Sequence, residues 1–261
     1  MKKLIYGTMF LAILSTSIFS CKKEIETDST KTSTAINSSV QKTQIISEIL
    51  SNEDLLTIGN YHNESLELVF ADFNWQSTDF KSELINKFTE NQISLRSNDL
   101  NYLNERANVD LDANIAILQN ELSSTAFTYI QNALTLSNSI SNVADFQNTL
   151  SQLQENARSN ISDVTELNAV LASLEVFKSS AYFWAPVNLG GSGIGYSYWI
   201  IYGDIIEQKS PWTNALAADG VSGGIGMLGV AVAGCFGPVG WVALGICGGE
   251  AAMSSAASFL F

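Results

Sequence analysis

Apolar residues recur every three or four positions through the middle of this chain. Asp110 to Leu136 carries Leu111, Ile115, Leu118, Leu122, Ala126, Ile130 and Leu134, with mostly polar residues between them. Such a stripe predicts a helix that buries one face against its neighbours. Asn142 to Ser159 repeats the spacing with Val143, Phe146, Leu150, Leu153 and Ala157. A third stripe, capped at Ser162, passes through Val164, Leu167, Leu171, Leu174 and Phe177 to Trp184. Shorter helical patterns precede these, over Val40–Leu56, Glu64–Phe73 and Asp79–Asn91, with a further short one capped at Ser97. Long helices joined by short connections are antiparallel neighbours. The fold class predicted is all-α, with an antiparallel helical bundle over residues 40–185.

The pattern changes after Pro186, which stops the third stripe. Residues 186–214 form a connector carrying Gly190, Gly191, Gly193 and Gly195, then Tyr196, Tyr198, Trp199 and Tyr202. No Lys-Ser/Thr pair follows these glycines and their order lacks the dinucleotide fingerprint, so a phosphate loop is excluded. From residue 215 the polar face disappears. Gly220 to Gly249 contains no charged residue, and Gly220, Gly223, Gly226 and Gly229 recur every third position. Gly220/Gly224 and Gly245/Gly249 are small-xxx-small pairs, the spacing that lets helices approach closely in lipid or in a dry core. Gly237-Pro238 breaks the run, so residues 215–261 predict a C-terminal Gly-rich apolar helical hairpin, Ala215–Gly234 and Val239–Leu260.

Two readings of that hairpin stay open: insertion into a membrane, or packing within the fold. Each arm is near the length of about 20 residues that spans a bilayer. Glu250 opposes insertion unless it is protonated or meets a partner; the bland alternative for it is a helix-end or surface carboxylate. Trp241 and the aromatics upstream are either an interfacial belt or the packing where tail and bundle meet. Cys235 and Cys247 flank the break, so antiparallel arms allow a disulfide between them, subject to its geometry.

Residues 1–20 read as a secretion signal: Lys2 and Lys3, an apolar core from Leu4 to Ile18, then small residues before a cysteine. Ser17-Ile18-Phe19-Ser20-Cys21 resembles the lipobox of bacterial lipoproteins of the Bacteroidota type, and Cys21-Lys22-Lys23-Glu24 resembles their mature start. The resemblance covers about 25 residues and implies acylation of Cys21, attachment to a lipid bilayer, and an outer-membrane address on the periplasmic or the cell-surface side. Residues 21–39, rich in Ser and Thr, read as a disordered tether. The helical body joined to a Gly/Ala-rich apolar tail is loosely similar to pore-forming bacteriocins and glycine-zipper peptides.

Charge and chemistry narrow the function. Loss of the signal leaves 11 basic against 26 acidic side chains, a net charge of −15, which argues against nucleic acid as a partner. His62 is the single histidine; beside Tyr61 and Asn63 it reads as a surface residue at a helix start. No nucleophile elbow, paired carboxylates or metal-ligand spacing stands out, and no catalytic residue, metal or cofactor is expected. The expectation is therefore a non-enzymatic cell-envelope lipoprotein with a structural or interaction role. The alternative is a membrane-active protein that inserts its C-terminal hairpin. The hairpin's partner would be a protein in the first case and a target membrane in the second.

Overall fold

The computed structural model describes residues 48–95, 103–104, 110–202, 212–232 and 241–260. Within them the regular structure is nine α-helices and one 3-10 turn. The polar helices begin where a side chain can take up the first free amides of the backbone. Helix α1 (Asn52–Ala71) opens on a capping box, in which the Ser51 hydroxyl accepts from Asp54 N–H and Asp54 accepts from Ser51 N–H. Helix α2 (Phe80–Glu90) is capped by Asp79, α3 (Leu111–Glu121) by Asp110, and α4 (Ser124–Ser137) by Ser123. Helix α5 (Val143–Asn160) is capped by Asn142, and α6 (Val164–Trp184) by Asp163 in place of the expected Ser162.

Two boundaries depart from the sequence pattern. The stripe from Asp110 to Leu136 is two helices, because Leu122 is extended and Ser123 starts a new one. Glu166 of α6 holds that break by accepting from the Ser123 amide at 2.9 Å and from its hydroxyl at 2.6 Å. In the other direction, the segments expected to end at Leu56 and restart at Glu64 are one continuous helix, α1. The Ser97-capped segment lies outside the described residues apart from Leu103 and Asn104.

After α6 the chain makes a 3-10 turn (Val187–Leu189), with Gly190 and Gly193 at φ of 89° and 74°, left-handed values that favour glycine. Helix α7 (Ile194–Tyr202) follows, inside what the sequence presented as connector. Helices α8 (Trp212–Val232) and α9 (Trp241–Leu260) complete the chain.

The arrangement is built around α6, most of whose residues are buried. Its largest contact is with α8, α8 packs in turn on α9, and α9 packs on α1, which returns to α6. Helices α3, α4 and α5 cover the outer side of α6 and α8. One apolar cluster joins Ile58, Leu118, Ile130, Leu150, Phe177 and Val221. A second gathers around Trp184, with Phe70, Phe88, Met253 and Phe259; the Phe70 and Phe259 rings lie 6.0 Å and 5.2 Å from that of Trp184.

This placement corrects the reading of the C-terminal region as a membrane-inserting or glycine-zipper hairpin, and with it the likeness to pore-forming bacteriocins. Among the described residues no helix is long and apolar enough to cross a membrane. The physical reason is in the residues: glycine, alanine and serine carry little transfer energy, and Asp219 and Glu250 each interrupt an arm. The glycines serve close approach inside the fold. A Cβ on Gly220 would overlap the Phe177 ring of α6, one on Gly248 would meet the Ile58 carbonyl of α1 at 2.7 Å, and one on Gly249 would overlap the Ser94 carbonyl. Gly224 lies over Ala169 and Ser173, Gly245 beside Ser94 and Tyr61, and Gly229 near the end of α8.

Candidate functional site

Two polar networks meet α6, one on each side. The inner network forms where α1, α6, α8 and α9 converge, and it centres on Asp219. His62, Ser180, Trp184, Asp219 and Ser255 are fully buried. Ser180 donates a hydrogen bond to Asp219 Oδ2, and the Trp184 indole N–H lies 3.1 Å from the same oxygen and 3.0 Å from Ser255 Oγ. His62 Nε2 stands 3.3 Å from Asp219 Oδ2, within ion-pair reach but off the line of a hydrogen bond. The other ring nitrogen, Nδ1, is 2.9 Å from Asn63 Oδ1, and Asn63 is oriented by its own donation to the Ser179 carbonyl at 3.0 Å. The imidazole is thus held through Nδ1 by Asn63, with Nε2 turned toward Asp219. A carboxylate buried this deeply needs hydrogen-bond donors, and Ser180 and Trp184 supply two.

The sequence placed His62 on the surface at a helix start; it is mid-helix and fully buried. A signal for this was present. Leu55, Ile58, His62, Leu66 and Val69 follow one another by three and four, so His62 belongs to the apolar stripe of α1. Asp219 was overlooked in the same way: a lone acid inside an apolar run calls for a buried partner.

The inner network has the residue types of a serine nucleophile system but not their order. In a triad the imidazole stands between the hydroxyl and the acid. Here the acid stands between them, since Ser180 and His62 both address one oxygen of Asp219. The arrangement joins four helices and does not position His62 to take a proton from Ser180.

The other residues singled out by sequence fall around this seam. Glu250 is fully buried inside α9, its Cβ facing Gly226; it is neither a helix-end nor a surface carboxylate. Cys247 is buried on the same helix, and its thiol donates to the Gly223 carbonyl at 3.1 Å. Cys235 and the Gly237-Pro238 break lie outside the described residues, as do the signal segment, Cys21 and the tether. Trp241 opens α9. Among the described residues no group of three or more His, Cys, Asp or Glu side chains is placed to hold a metal.

The outer network lies on the opposite side of α6, at the floor of an open cleft of about 590 Å³ between α1 and α5. Glu175 and Gln154 are buried, and Lys178 is mostly so. Lys178 Nζ donates to Glu175 Oε2 at 2.7 Å and to Gln154 Oε1 at 3.3 Å, while Gln154 Nε2 donates to Glu175 Oε2 at 3.1 Å. The walls carry Leu55 and the exposed Leu56 from α1, and Gln152, Glu155 and Asn156 from α5. Sequence reasoning missed the cleft because its residues come from three separated helices and form no local motif.

No protein-family model matches this chain, and no curated protein or solved structure matches it.

Proposed function

We propose that this is a lipid-anchored, non-enzymatic protein of the cell envelope, whose helical body serves an interaction role through the cleft between α1 and α5. The observation that carries the reading is the contrast between the two networks. The acid and hydroxyl groups around Asp219 are sealed among four helices, whereas the polar groups around Glu175 and Lys178 face an opening. An open concavity with a few convergent polar groups is the default place for a ligand. The address rests on the sequence of residues 1–24, whose lipobox makes Cys21 the acylated residue and whose Ser/Thr-rich continuation holds the body away from the bilayer.

Metabolic labelling with an alkyne analogue of palmitate tests the anchor. Label should enter the protein in cells, disappear in Cys21→Ser, and follow the protein into the outer-membrane fraction. An unlabelled wild-type protein recovered with periplasmic contents would overturn it.

A further inference from the structure

We infer that the body meets the bilayer through the outer face of α7, which lies in the headgroup region of the lipid surface. The inference rests on the lipid anchor proposed above and specifies which side of the body faces the membrane. From Ser179 to Gly203 the chain carries no charged residue, in a protein with 26 acidic side chains. Within that stretch α7 reads Ile-Gly-Tyr-Ser-Tyr-Trp-Ile-Ile-Tyr. A helix so apolar on every side belongs in a core or in lipid, yet one face of α7 is at the surface.

The inner face is held by rings. Tyr198 lies 5.1 Å from Phe70 between ring centroids, and Tyr202 stacks on Trp75 at 3.8 Å. The outer face presents Ser197, Ile200 and Ile201, three and four positions apart, with the two isoleucines 57% and 60% exposed. The half-buried Tyr196 and Trp199 stack on each other at 5.5 Å. Tyr182 and Val187, both exposed, flank the start of α7. The Ser192 amide donates to the Tyr182 carbonyl, and a Cβ on Gly193 would meet Val187 Cγ2. Aliphatic side chains bracketed by tyrosine and tryptophan favour the boundary between headgroups and acyl chains.

Two further observations favour a lipid surface. An acidic body is repelled by an anionic leaflet, and the repulsion is least at a face that carries no acid. The anchor also permits the contact. The Glu48 carbonyl accepts from Asn168 near the start of α6, about 21 Å along that helix from Tyr182. Cys21 precedes Glu48 by 27 residues, a length that reaches at most about 95 Å. The tether can thus keep most of the body off the bilayer while α7 touches it. With nine residues, α7 is about 13 Å long, against about 30 Å of hydrocarbon, so it lies along the surface and does not cross.

The test uses the mature chain, residues 21–261, with Cys21→Ser and Cys235→Ser and with an N-terminal hexahistidine tag in place of the acyl group. Vesicles of phosphatidylethanolamine, phosphatidylglycerol and a nickel-chelating lipid then supply the attachment. Ile201→Cys carries the environment-sensitive dye NBD, and Ile117→Cys, exposed on α3, carries it as the comparator; Cys247 is buried. On vesicles the dye at 201 should brighten about threefold or more and shift to the blue, while that at 117 stays unchanged. Val187→Ser with Ile200→Ser, both at exposed positions, should cut the gain at 201 about threefold. An equal response at 117 and 201, or an undiminished one in the double variant, would overturn the proposal. So would the same brightening without vesicles, rising with protein concentration, which would assign the face to a second copy. The tag replaces acylation, so failure here is separate from failure of the anchor.

Discussion

The two sides of α6 each bury a carboxylate, and they treat it differently. Asp219, from α8, meets Ser180, Trp184 and His62, and all four side chains are shut inside the fold. Glu175, from α6 itself, meets Lys178 and Gln154 where α1 and α5 stand apart and leave an opening. Both acids accept hydrogen bonds from buried donors. Burial and pairing therefore do not separate a carboxylate sealed in the fold from one at the floor of an open cleft. The route to solvent does, and that route is set by which helices touch.

Removing the shared acceptor should cost most on the closed side. Asp219→Ala deprives the buried Ser180 and Trp184 donors of their common acceptor, at about 1–3 kcal/mol for each unsatisfied group, so it should lower stability by about 3–5 kcal/mol. The double variant with His62→Gln should lose less than the two single variants summed. Urea denaturation of the four proteins measures this, and additive losses would show that the pair is not coupled.

Next in size is Gly220→Val. A Cβ there already overlaps the Phe177 ring, and forcing a side chain into that contact should cost about 3 kcal/mol, the upper part of the usual range for overpacking. The shift in thermal midpoint checks it; an unchanged midpoint would mean that α6 and α8 are not in contact there.

On the open side the loss should be smaller. Glu175→Ala removes an acid that water can partly replace, and the expected cost is about 1–2 kcal/mol. A loss as large as that of Asp219→Ala would erase the distinction between the two networks.

The smallest effect is on the surface, where Asp79 caps α2. The Ser82 amide and then the Ser82 hydroxyl hold its carboxyl below the ordinary value of 3.8. A depressed folded value means that the contribution is present above pH 3.8 and is lost as pH falls through the folded value. Asp79→Asn keeps the cap and removes the titration, so acid unfolding should be slightly less steep below about pH 4.

Local signals in the sequence were legible where they were chemical. Asp79 and Asn142 marked helix starts, and Val143, Phe146, Leu150 and Ala157 marked the buried face of α5. Long-range facts were not. The break at Ser123 depends on Glu166, 43 residues away, and no periodicity reveals that. The largest error concerned residues 215–261, where glycine and alanine without a polar face describe a helix buried on all sides as well as one in lipid. Asp219 and His62 were the residues that could have decided it, as a lone acid in an apolar run and a lone histidine on an apolar stripe.

The packing of α8 on α6 and of α9 on α1 makes both helices part of the core, which requires no membrane to hold them. Amide hydrogen exchange of the Cys21→Ser chain in lipid-free buffer tests it directly. Amides of residues 215–227 and 243–259 should exchange as slowly as those of α6, through global unfolding alone. Rapid exchange of both segments in buffer, with protection appearing only when vesicles are added, would contradict it.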